Sequence, residues 1–429
     1  MKPGTIARNI RNNYFKGSLR RSYWSAAAFA GEIRALFWPA NSAFRGEVIK
    51  NQLSHLFSSV VPVNGETHER ARAAVGWLMR GQAATPDDGV SLGYFPCDKT
   101  ADKGWLASYP ETTGYIITSL LAYAKKYDDT AAAQAAMRMA AWEMAVQMPS
   151  GAVQGGPVCA PERQTAAAFN TGMVLDGWCS AYAYSGDQQV LDAARRAADW
   201  LVNDVDEHGY FKTNGAYVSA GEIKTYTCLC AWAIYRFGDL VQEERYRTAA
   251  VAIIEAALRQ QQPNGWFAHD CLSNSEAPLT HTIGYTLQAV FEVGVLAGRA
   301  DFIKAVRLTA DALLPRISDA GYLSGRFYSD WEPAVFSSCL TGSAQIAIVC
   351  YRLTEQTGEP TYRTHADKLV NYLKGLQVTQ SDDAALVGAV AGSFPLFGGY
   401  MRAGYPNWAT KYFLDALLLQ AQFDQVTIR

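Results

Sequence analysis

The stretch Tyr109-Pro110-Glu111-Thr112-Thr113-Gly114-Tyr115 decides the fold, because its pattern returns at five further places in the chain. A Pro followed by small polar residues and then by the apolar run 116–121 predicts the start of a helix. Aligned on the Gly, the six copies have their marker at positions 114, 172, 228, 284, 342 and 410. Subtraction gives intervals of 58, 56, 56, 58 and 68 residues. Such self-similarity indicates a repeat architecture.

A second marker keeps nearly the same period. It is a Gly, usually followed by an aromatic residue, at positions 93, 151, 209, 265, 321 and 388, so its intervals are 58, 58, 56, 56 and 67 residues. Two markers with one period indicate six copies of one unit across most of the chain. The last interval is the longest in both series, which predicts an enlarged loop in the sixth unit.

Each unit contains two predicted helices. The first mixes Arg, Glu or Gln with apolar residues at three- and four-residue spacing, the pattern of a half-exposed helix. These first helices are predicted at residues 67–80, 130–147, 187–205, 242–261, 300–315 and 361–376. The second helix has almost no charges and is predicted to be buried on most sides, as at 172–184, 227–237 and 342–353.

Six hairpins with the charged helix outside and the apolar helix inside predict an all-α fold, a closed (α/α)6 toroid. An open solenoid is the alternative, but it tolerates any number of repeats and usually needs polar capping repeats. We predict the barrel at residues 65–429 and an N-terminal helical extension at 1–64, which packs on it as a cap or arm. Binding of this basic extension to a membrane surface is the less favoured interpretation, since its positive charges do not continue onto the helix predicted near 26–36.

Composition and charge restrict the classes of partner and the cellular compartment that we expect. A formal charge of -2 with 49% hydrophobic and 18% charged residues gives no reason to expect nucleic acid or an anionic membrane as partner. No apolar run reaches the roughly 18 residues of a membrane span, and no signal-peptide core follows the basic start, so the expected compartment is the cytoplasm. The eight Cys lack the spacing of a zinc site or a disulfide scaffold and are expected to be mostly reduced core residues. We expect no metal and no cofactor.

Candidate functional residues lie where the inner helices begin. Each is preceded by a segment of about twenty residues, which is long for a connection in a compact domain and points to function. Three residues before the helix markers stand Glu111, Phe169, Thr225, His281, Cys339 and Asn407. Glu111 and His281 lie three units apart, so a six-fold ring places them on opposite walls, as an acid and a base acting on two sides of one bound group require. The alternatives are a first-turn acid favoured by the helix dipole and a structural histidine.

Further candidates surround this pair. Tyr285 follows His281 by four residues and so lies on the same helix face, which permits either a His/Tyr proton-transfer pair or a core contact. The run Asp330-Trp331-Glu332 is either a sugar platform between two carboxylates or a solvated loop. The expected substrate-binding residues are Trp105, Asn170, Lys224, Tyr226, Trp331, Asn407, Trp408 and Lys411. For Asn407, Trp408 and Lys411 the alternative is packing and capping.

The six hairpins, the Gly-aromatic turns and the loop-rich mouth resemble the (α/α)6-barrel, six-hairpin carbohydrate-active superfamily. This superfamily includes unsaturated glucuronyl hydrolases, related glycosidases, some polysaccharide lyases and N-acylglucosamine 2-epimerases. The resemblance covers roughly residues 65–425, matches the full catalytic signature of no single family, and implies a sugar or oligosaccharide in the central cleft. Terpene cyclases and lanthionine cyclases fit less well, because the Asp-rich motifs of the first and the Cys-His dipeptide of the second are missing.

Three functional hypotheses follow. The first is a glycoside hydrolase acting on an oligo- or polysaccharide, uronate-containing or a bacterial exopolysaccharide, in which Glu111 works with Asp330 or Glu332 as acid and base. The second is a polysaccharide lyase or sugar epimerase. Its candidate bases are His281, Tyr226 and Tyr285, and the groups that would neutralise a substrate carboxylate are Asn170, Asn407, Lys224 and Lys411. The third is a non-catalytic glycan-binding protein of polysaccharide biosynthesis.

Overall fold

Twelve helices build the part of the chain that the computed structural model describes, which is residues 60–96, 104–216, 218–219, 221–396 and 398–427. In chain order they are α1 (Thr67–Ala83), α2 (Pro110–Tyr127), α3 (Thr130–Val146), α4 (Ala168–Ser185), α5 (Gln188–Asp204), α6 (Leu229–Val241), α7 (Glu244–Leu258), α8 (Thr280–Leu296), α9 (Ala300–Leu313), α10 (Leu340–Thr357), α11 (Pro360–Leu376) and α12 (Asn407–Thr427). The odd-numbered helices form the outer ring and the even-numbered helices the inner ring.

Short elements fill the connections. The strands, each of two residues, are β1 (Gly93–Tyr94), β2 (Ser338–Cys339), β3 (Ser393–Phe394) and β4 (Tyr405–Pro406). They pair antiparallel as β1 with β4 and β2 with β3. Single 3₁₀ turns lie at Pro161–Arg163, Thr225–Cys228 and Leu314–Arg316.

The inner ring is closed. Each inner helix contacts the next one, and α12 contacts α2. Gly93 of β1 lies opposite Pro406 of β4, so the sixth unit also pairs with the first through its loop. The side-chain amide of Asn407 completes the closure by donating to the carbonyl of Ser91 at 2.8 Å and to the hydroxyl of Thr112 at 2.7 Å. The predicted closed toroid is therefore confirmed.

The marker glycines lie where the backbones of neighbouring units come into close contact. A Cβ added to Gly114 in α2 would lie 2.6 Å from the Cα of Val174 in α4, so the two inner helices could not pack at this distance. Gly388 has a φ of +97°, and a Cβ there would lie 2.2 Å from the carbonyl oxygen of Ala73 in α1. The repeat period therefore records backbone contacts between neighbouring units.

A recurring hydrogen bond corrects the alignment of the repeats. The backbone N–H of Val90, Val153 and Val390 donates to the hydroxyls of Thr113, Thr171 and Thr410, respectively, at 2.9 to 3.0 Å. In this register the first counterpart of the turn glycines is Asp88, with a φ of 67°, and Gly93 belongs to β1 instead. In the sixth unit the counterpart of Glu111 is Trp408, one residue beyond the predicted Asn407.

The chain enters the barrel beside the last outer helix. The backbone N–H of Val63 donates to the carbonyl of Asn371 in α11 at 2.9 Å. Residues 1–59 of the extension predicted at 1–64 lie outside the described part of the chain. No described helix combines the length and the apolar character that crossing a membrane requires. Seven cysteines of the described part are free thiols.

Candidate active site at the barrel mouth

Aromatic side chains from the inner helices form a packed layer near the barrel axis, and Tyr115 and Tyr412 of this layer also line a small cavity. Tyr115 of α2 lies 5.6 Å from Tyr412 of α12, which lies 5.8 Å from Tyr285 of α8, measured between ring centroids. Phe169 of α4 continues the row, 5.0 Å from Tyr285 and 5.4 Å from Tyr226 of the third unit. We call these five residues the aromatic floor. Phe169 and Tyr226 are the most exposed of the five, at 9% each, and Tyr115, Tyr285 and Tyr412 are buried beneath them.

Glu111 stands in the first turn of α2 above the aromatic floor. Its carboxylate accepts a hydrogen bond from the hydroxyl of Tyr109 at 2.6 Å. The residue is partly exposed, but the surrounding protein strips most water from the carboxyl group, and burial raises its pKa to about 7 against the opposing effect of the Tyr109 bond. Near neutral pH this carboxyl is therefore half protonated, as a general acid requires.

His281 occupies the first turn of α8 and is buried. Its Nδ1 lies 2.7 Å from the side-chain oxygen of Gln345 in α10. Burial lowers the pKa of the imidazole to about 4, and the bond to Gln345 opposes this only in part. The ring is therefore neutral near pH 7 and has a lone pair with which to accept a proton.

Glu111 and His281 lie against the same tyrosines. The charge of Glu111 raises the pKa of both Tyr285 and Tyr400, after the larger effect of burial. These two tyrosine rings lie 4.3 Å and 5.5 Å from the ring of His281. Tyr285 thus lies on the same face as His281, as the four-residue spacing predicts. A group bound over the aromatic floor would lie between an acid and a neutral base.

The rim between them is also aromatic. The indole N–H of Trp408 donates to the hydroxyl of Tyr400 at 2.8 Å, and the Trp408 ring lies 6.4 Å from that of Tyr109. Trp408 is buried, and it connects the tyrosine that binds Glu111 with the tyrosine beside His281. The structure therefore gives Trp408 a place in the wall of the site.

The two predicted cationic residues are already bound within the protein. The ammonium of Lys224 donates to Glu222 at 2.7 Å and to the carbonyls of Cys271 and Leu272 at 3.0 and 3.1 Å, which uses all three of its hydrogens. Lys411 lies 2.8 Å from Asp415 and 3.9 Å from the ring centroid of Tyr412, beneath the aromatic floor. The expectation that these lysines neutralise a substrate carboxylate does not fit their bonds.

The two candidate asparagines differ. Asn170 is buried in the first turn of α4, and its amide nitrogen donates to the carbonyl of Gln154 at 3.0 Å. Asn170 remains a candidate for binding substrate, since it belongs to the same ring of helix starts as Glu111 and His281. Asn407 is used to close the barrel, so its role is architectural. Tyr226 lies in the floor, where burial first and then Glu111 raise its pKa.

The predicted sugar platform at 330–332 has little support from the contacts of its side chains. Trp331 is only 4% exposed and its indole N–H donates to the carbonyl of Asn264 at 2.9 Å, so it packs between two loops and offers no free ring face. Glu332 pairs with Arg316, just beyond the outer helix α9, at 3.2 Å. Asp330 accepts from the backbone N–H of Glu332 at 3.1 Å. Trp331 and Glu332 are thus bound by Asn264 and Arg316.

Trp105 also belongs to the periphery. Its ring lies 5.4 Å from the buried Trp77 of the outer helix α1 and 5.1 Å from Tyr94. It is half-buried and stabilises the packing of the first loop on α1. The expected contact of Trp105 with substrate has no support in this position.

Several residues of the site are missing from the sequence-based list. They are Tyr109, Tyr115, Gln345, Tyr400 and Tyr412. Tyr109 and Tyr115 flank Glu111 in the repeated stretch, so their position in the repeat was a usable signal. Gln345 and Tyr412 lie within helices that are predicted to be buried. The sequence of such a helix does not show whether a polar side chain points to the barrel axis or packs against a neighbouring helix, because that depends on how the helices are rotated against each other. Within the described residues, no three His, Cys, Asp or Glu side chains form a metal-binding group.

Solved structures with this fold come from sugar-directed enzymes. An unsaturated glucuronyl hydrolase specific for heparin has a TM-score of 0.68 at 14% identity, covering 84% of this chain and 98% of its own. The unsaturated glucuronyl hydrolase of Bacillus sp. GL1, responsible for the degradation of glycosaminoglycan, has a TM-score of 0.63 at 16% identity, covering 82% and 96%. A D-mannose isomerase has a TM-score of 0.66 at 10% identity, covering 83% and 97%.

No protein-family model and no curated protein matches the chain. The structural likeness confirms the predicted six-hairpin (α/α)6 fold, and at these identities it shows the fold alone.

Proposed function

We propose that this protein is a carbohydrate-active enzyme that transfers protons at a sugar carbon next to a carbonyl, as a sugar isomerase or epimerase does. The observation that carries the proposal is the pair of His281, a buried neutral imidazole, and Glu111, a carboxyl with a pKa of about 7, which lie against the same tyrosines. Such a pair supplies a base and an acid at the same pH.

The reaction balances with these two groups. His281 takes the proton from the carbon beside the carbonyl, while Glu111 donates its proton to the carbonyl oxygen, which gives an enediol. The imidazolium then returns the proton to the neighbouring carbon for isomerisation. For epimerisation the enediol first turns over above the aromatic floor, so that the imidazolium protonates the other face of the same carbon. Glu111 recovers its proton from an enediol hydroxyl. The low polarity of the cavity strengthens both interactions.

The aromatic floor supports a sugar as the substrate. Its rings offer apolar faces, while the hydroxyls of Tyr226 and Tyr400 can exchange hydrogen bonds with sugar hydroxyls. The mannose isomerase with the same fold supports this substrate class as an analogy. Elimination next to a uronate carboxylate has less support, because Lys224 and Lys411 already have partners inside the protein.

Hydrolysis is the second candidate. It is favoured by the raised pKa of Glu111, which suits a carboxylic acid that protonates a leaving oxygen. A second carboxylate is needed to activate water or attack the sugar in the two-carboxylate mechanism. The predicted partners Asp330 and Glu332 do not supply it, since they lie in the loop that contacts Arg316 and Asn264.

One experiment in D₂O separates these reactions. The protein is incubated with a panel of aldoses, ketoses, N-acylated amino sugars and uronate-containing oligosaccharides. Isomerisation or epimerisation places solvent deuterium on a sugar carbon, which NMR detects. Hydrolysis releases new reducing ends without deuterium on carbon, and elimination produces an unsaturated uronate that absorbs in the ultraviolet. Deuterium exchange that persists in both Glu111→Gln and His281→Ala would contradict the proposed site.

A further inference from the structure

The polar contact of His281 with Gln345 is buried between α8 and α10. Gln345 lies in the second turn of α10 and is 1% exposed. Its oxygen lies 2.7 Å from Nδ1 of His281, whereas its amide nitrogen is buried and has no hydrogen-bond partner. Leaving such a donor unpaired costs about 1–3 kcal/mol. An apolar side chain of similar shape would avoid that cost, so stability does not explain this glutamine.

The backbone is shaped to bring the glutamine close. Gly284 follows His281 by three residues on α8 and faces α10. A Cβ at this position would lie 2.6 Å from the Cβ of Gln345 and 3.0 Å from its side-chain oxygen. The marker glycine of the fourth unit therefore leaves the space in which the glutamine reaches the histidine.

We infer that Gln345 is the positioning residue of His281, and that it fixes the imidazole with its proton on Nδ1 so that Nε2 faces the cavity as the base. A carboxamide oxygen accepts hydrogen bonds and cannot donate them, so it selects the Nδ1–H tautomer. The inference rests on the proposed function for the part that makes His281 a base. The tautomer itself is independent of any substrate.

The tautomer is read directly by NMR on the full chain labelled with ¹⁵N-histidine, which has six histidines in all. His281→Asn identifies the signals of His281 by their loss. We expect Nδ1 with the shift of a protonated nitrogen and Nε2 with that of an unprotonated one at pH 7. Signals of the opposite tautomer would overturn the inference, because the amide would then have to donate to Nδ1.

Variants of Gln345 supply the second readout. Gln345→Met keeps the volume but removes the acceptor, so the His281 signals should become an average of the two tautomers. Gln345→Glu places a carboxylate beside the imidazole. Its negative charge should raise the pKa of His281 by about 1–3, the range typical for a neighbouring opposite charge. Gln82→Met is the matched control, since it removes another buried glutamine, in the outer helix α1 and bonded to the carbonyls of Asp88 and Ala135. This control should leave the His281 signals unchanged.

The two proposals fail separately. If the tautomer responds to Gln345 but no sugar is turned over, the positioning role stands and the proposed function is wrong. If a sugar is turned over, Gln345→Met should lower kcat at least tenfold with KM changed less than threefold, and Gln345→Glu should shift the acid limb of the pH profile upward. Full turnover with unchanged His281 signals in Gln345→Met would overturn the positioning role. Loss of folding in Gln345→Met, seen by circular dichroism, leaves Gln345→Glu to decide the outcome by the same signals.

Discussion

The inner helices carry ionisable groups at both ends, but the two ends differ in how these groups are paired. At the mouth, Glu111 and His281 have neutral hydrogen-bond partners, Tyr109 and Gln345. Towards the other end of the same helices, Asp176 of α4 pairs with Arg236 of α6, and Glu292 of α8 accepts two hydrogen bonds from Arg352 of α10 at 2.9 and 3.0 Å. We call the two regions the mouth and the paired half.

The difference separates function from structure. In the paired half Asp176 and Glu292 each have an arginine as partner, and these pairs join neighbouring helices. At the mouth, burial outweighs the opposing hydrogen bonds with Tyr109 and Gln345 and moves the pKa of Glu111 up and that of His281 down. Near pH 7 the imidazole is therefore neutral and part of the Glu111 carboxyl is protonated, so one group can accept a proton and the other can donate one.

The strongest test of this comparison removes the two mouth residues one at a time. Glu111→Gln and His281→Ala should each lower kcat on a confirmed substrate by about 10²- to 10⁴-fold, the usual contribution of a general acid or base. The unfolding midpoint of Glu111→Gln in urea should stay close to that of the unmodified chain, because Glu111 has no charged partner to lose. His281→Ala also leaves the oxygen of Gln345 unpaired and should lose about 1–3 kcal/mol of unfolding free energy. Steady-state kinetics and urea unfolding on the same samples check both parts. A large loss of stability with activity per folded molecule intact would reverse the assignment of the mouth.

The paired half should behave in the opposite way. Asp176→Asn leaves the guanidinium of Arg236 without its partner and also weakens the bond from Thr118 at 2.8 Å. We expect a loss of about 3 kcal/mol in the free energy of unfolding, the low end for a broken buried pair, since the Arg236 side chain remains 26% exposed. The activity of the folded fraction should be unchanged.

A double variant isolates the pair itself. Asp176→Asn combined with Arg236→Met removes both charges, so it should cost less than the sum of the single variants. Urea unfolding of the four proteins gives the coupling energy. Additive losses would mean that Asp176 and Arg236 do not stabilise each other.

The pH dependence of the rate sharpens the same contrast. His281 must be neutral to accept a proton, so the rate should rise with pH through its pKa of about 4. Glu111 must be protonated to donate, so the rate should fall again through about 7. The kcat/KM profile should be bell-shaped, and Glu111→Gln should remove the upper limb from whatever rate remains. An upper limb that persists in this variant would assign that pKa to another group.

The stability of the protein should respond to pH through the same two residues. The pKa of His281 is lowered from 6.5, so its contribution to stability is present above pH 6.5 and is lost as the pH falls towards about 4. The pKa of Glu111 is raised from 4.5, so its contribution is present below pH 4.5 and is lost as the pH rises towards about 7. Urea unfolding between these limits should show a shallower acid slope in His281→Ala. An unchanged slope would contradict the burial of the imidazole.

The smallest expected effect concerns the hydroxyl of Tyr115 at the border of the two regions. This oxygen is buried and has no hydrogen-bond partner. Tyr115→Phe should therefore leave the free energy of unfolding unchanged or raise it by up to about 1 kcal/mol. Tyr246→Phe is the matched control, since its hydroxyl donates to Asp199 at 2.6 Å, and it should lose about 1 kcal/mol. Equal losses in both variants would show that Tyr115 has a partner in solution.

The sequence by itself determined the architecture of this protein. Gly114 and its counterparts mark close contacts between units, and such contacts recur with the repeat, so their period is readable in one dimension. Glu111 and His281 could also be predicted from the sequence. Each is an ionisable residue at a repeat position where most of the other units carry a different kind of residue, and the fold brings this position to the barrel axis. The alignment of residues within each unit was harder to predict, as Gly93 and Asn407 show. It is defined by hydrogen bonds from backbone N–H groups to Thr hydroxyls, and these bonds leave no periodic sequence signal strong enough to set the alignment to within one residue.

Only the tertiary structure decided which polar residues form the site. Lys224, Trp331 and Glu332 have suitable chemistry and lie in mouth loops, yet their hydrogen bonds are made to other loops and to Arg316. Gln345 and Tyr412 gave no sequence signal, yet they contact His281 and floor the cavity. The physical reason is that a pKa and a hydrogen bond depend on distances between units that are about sixty residues apart in sequence, and a single unit does not contain those distances.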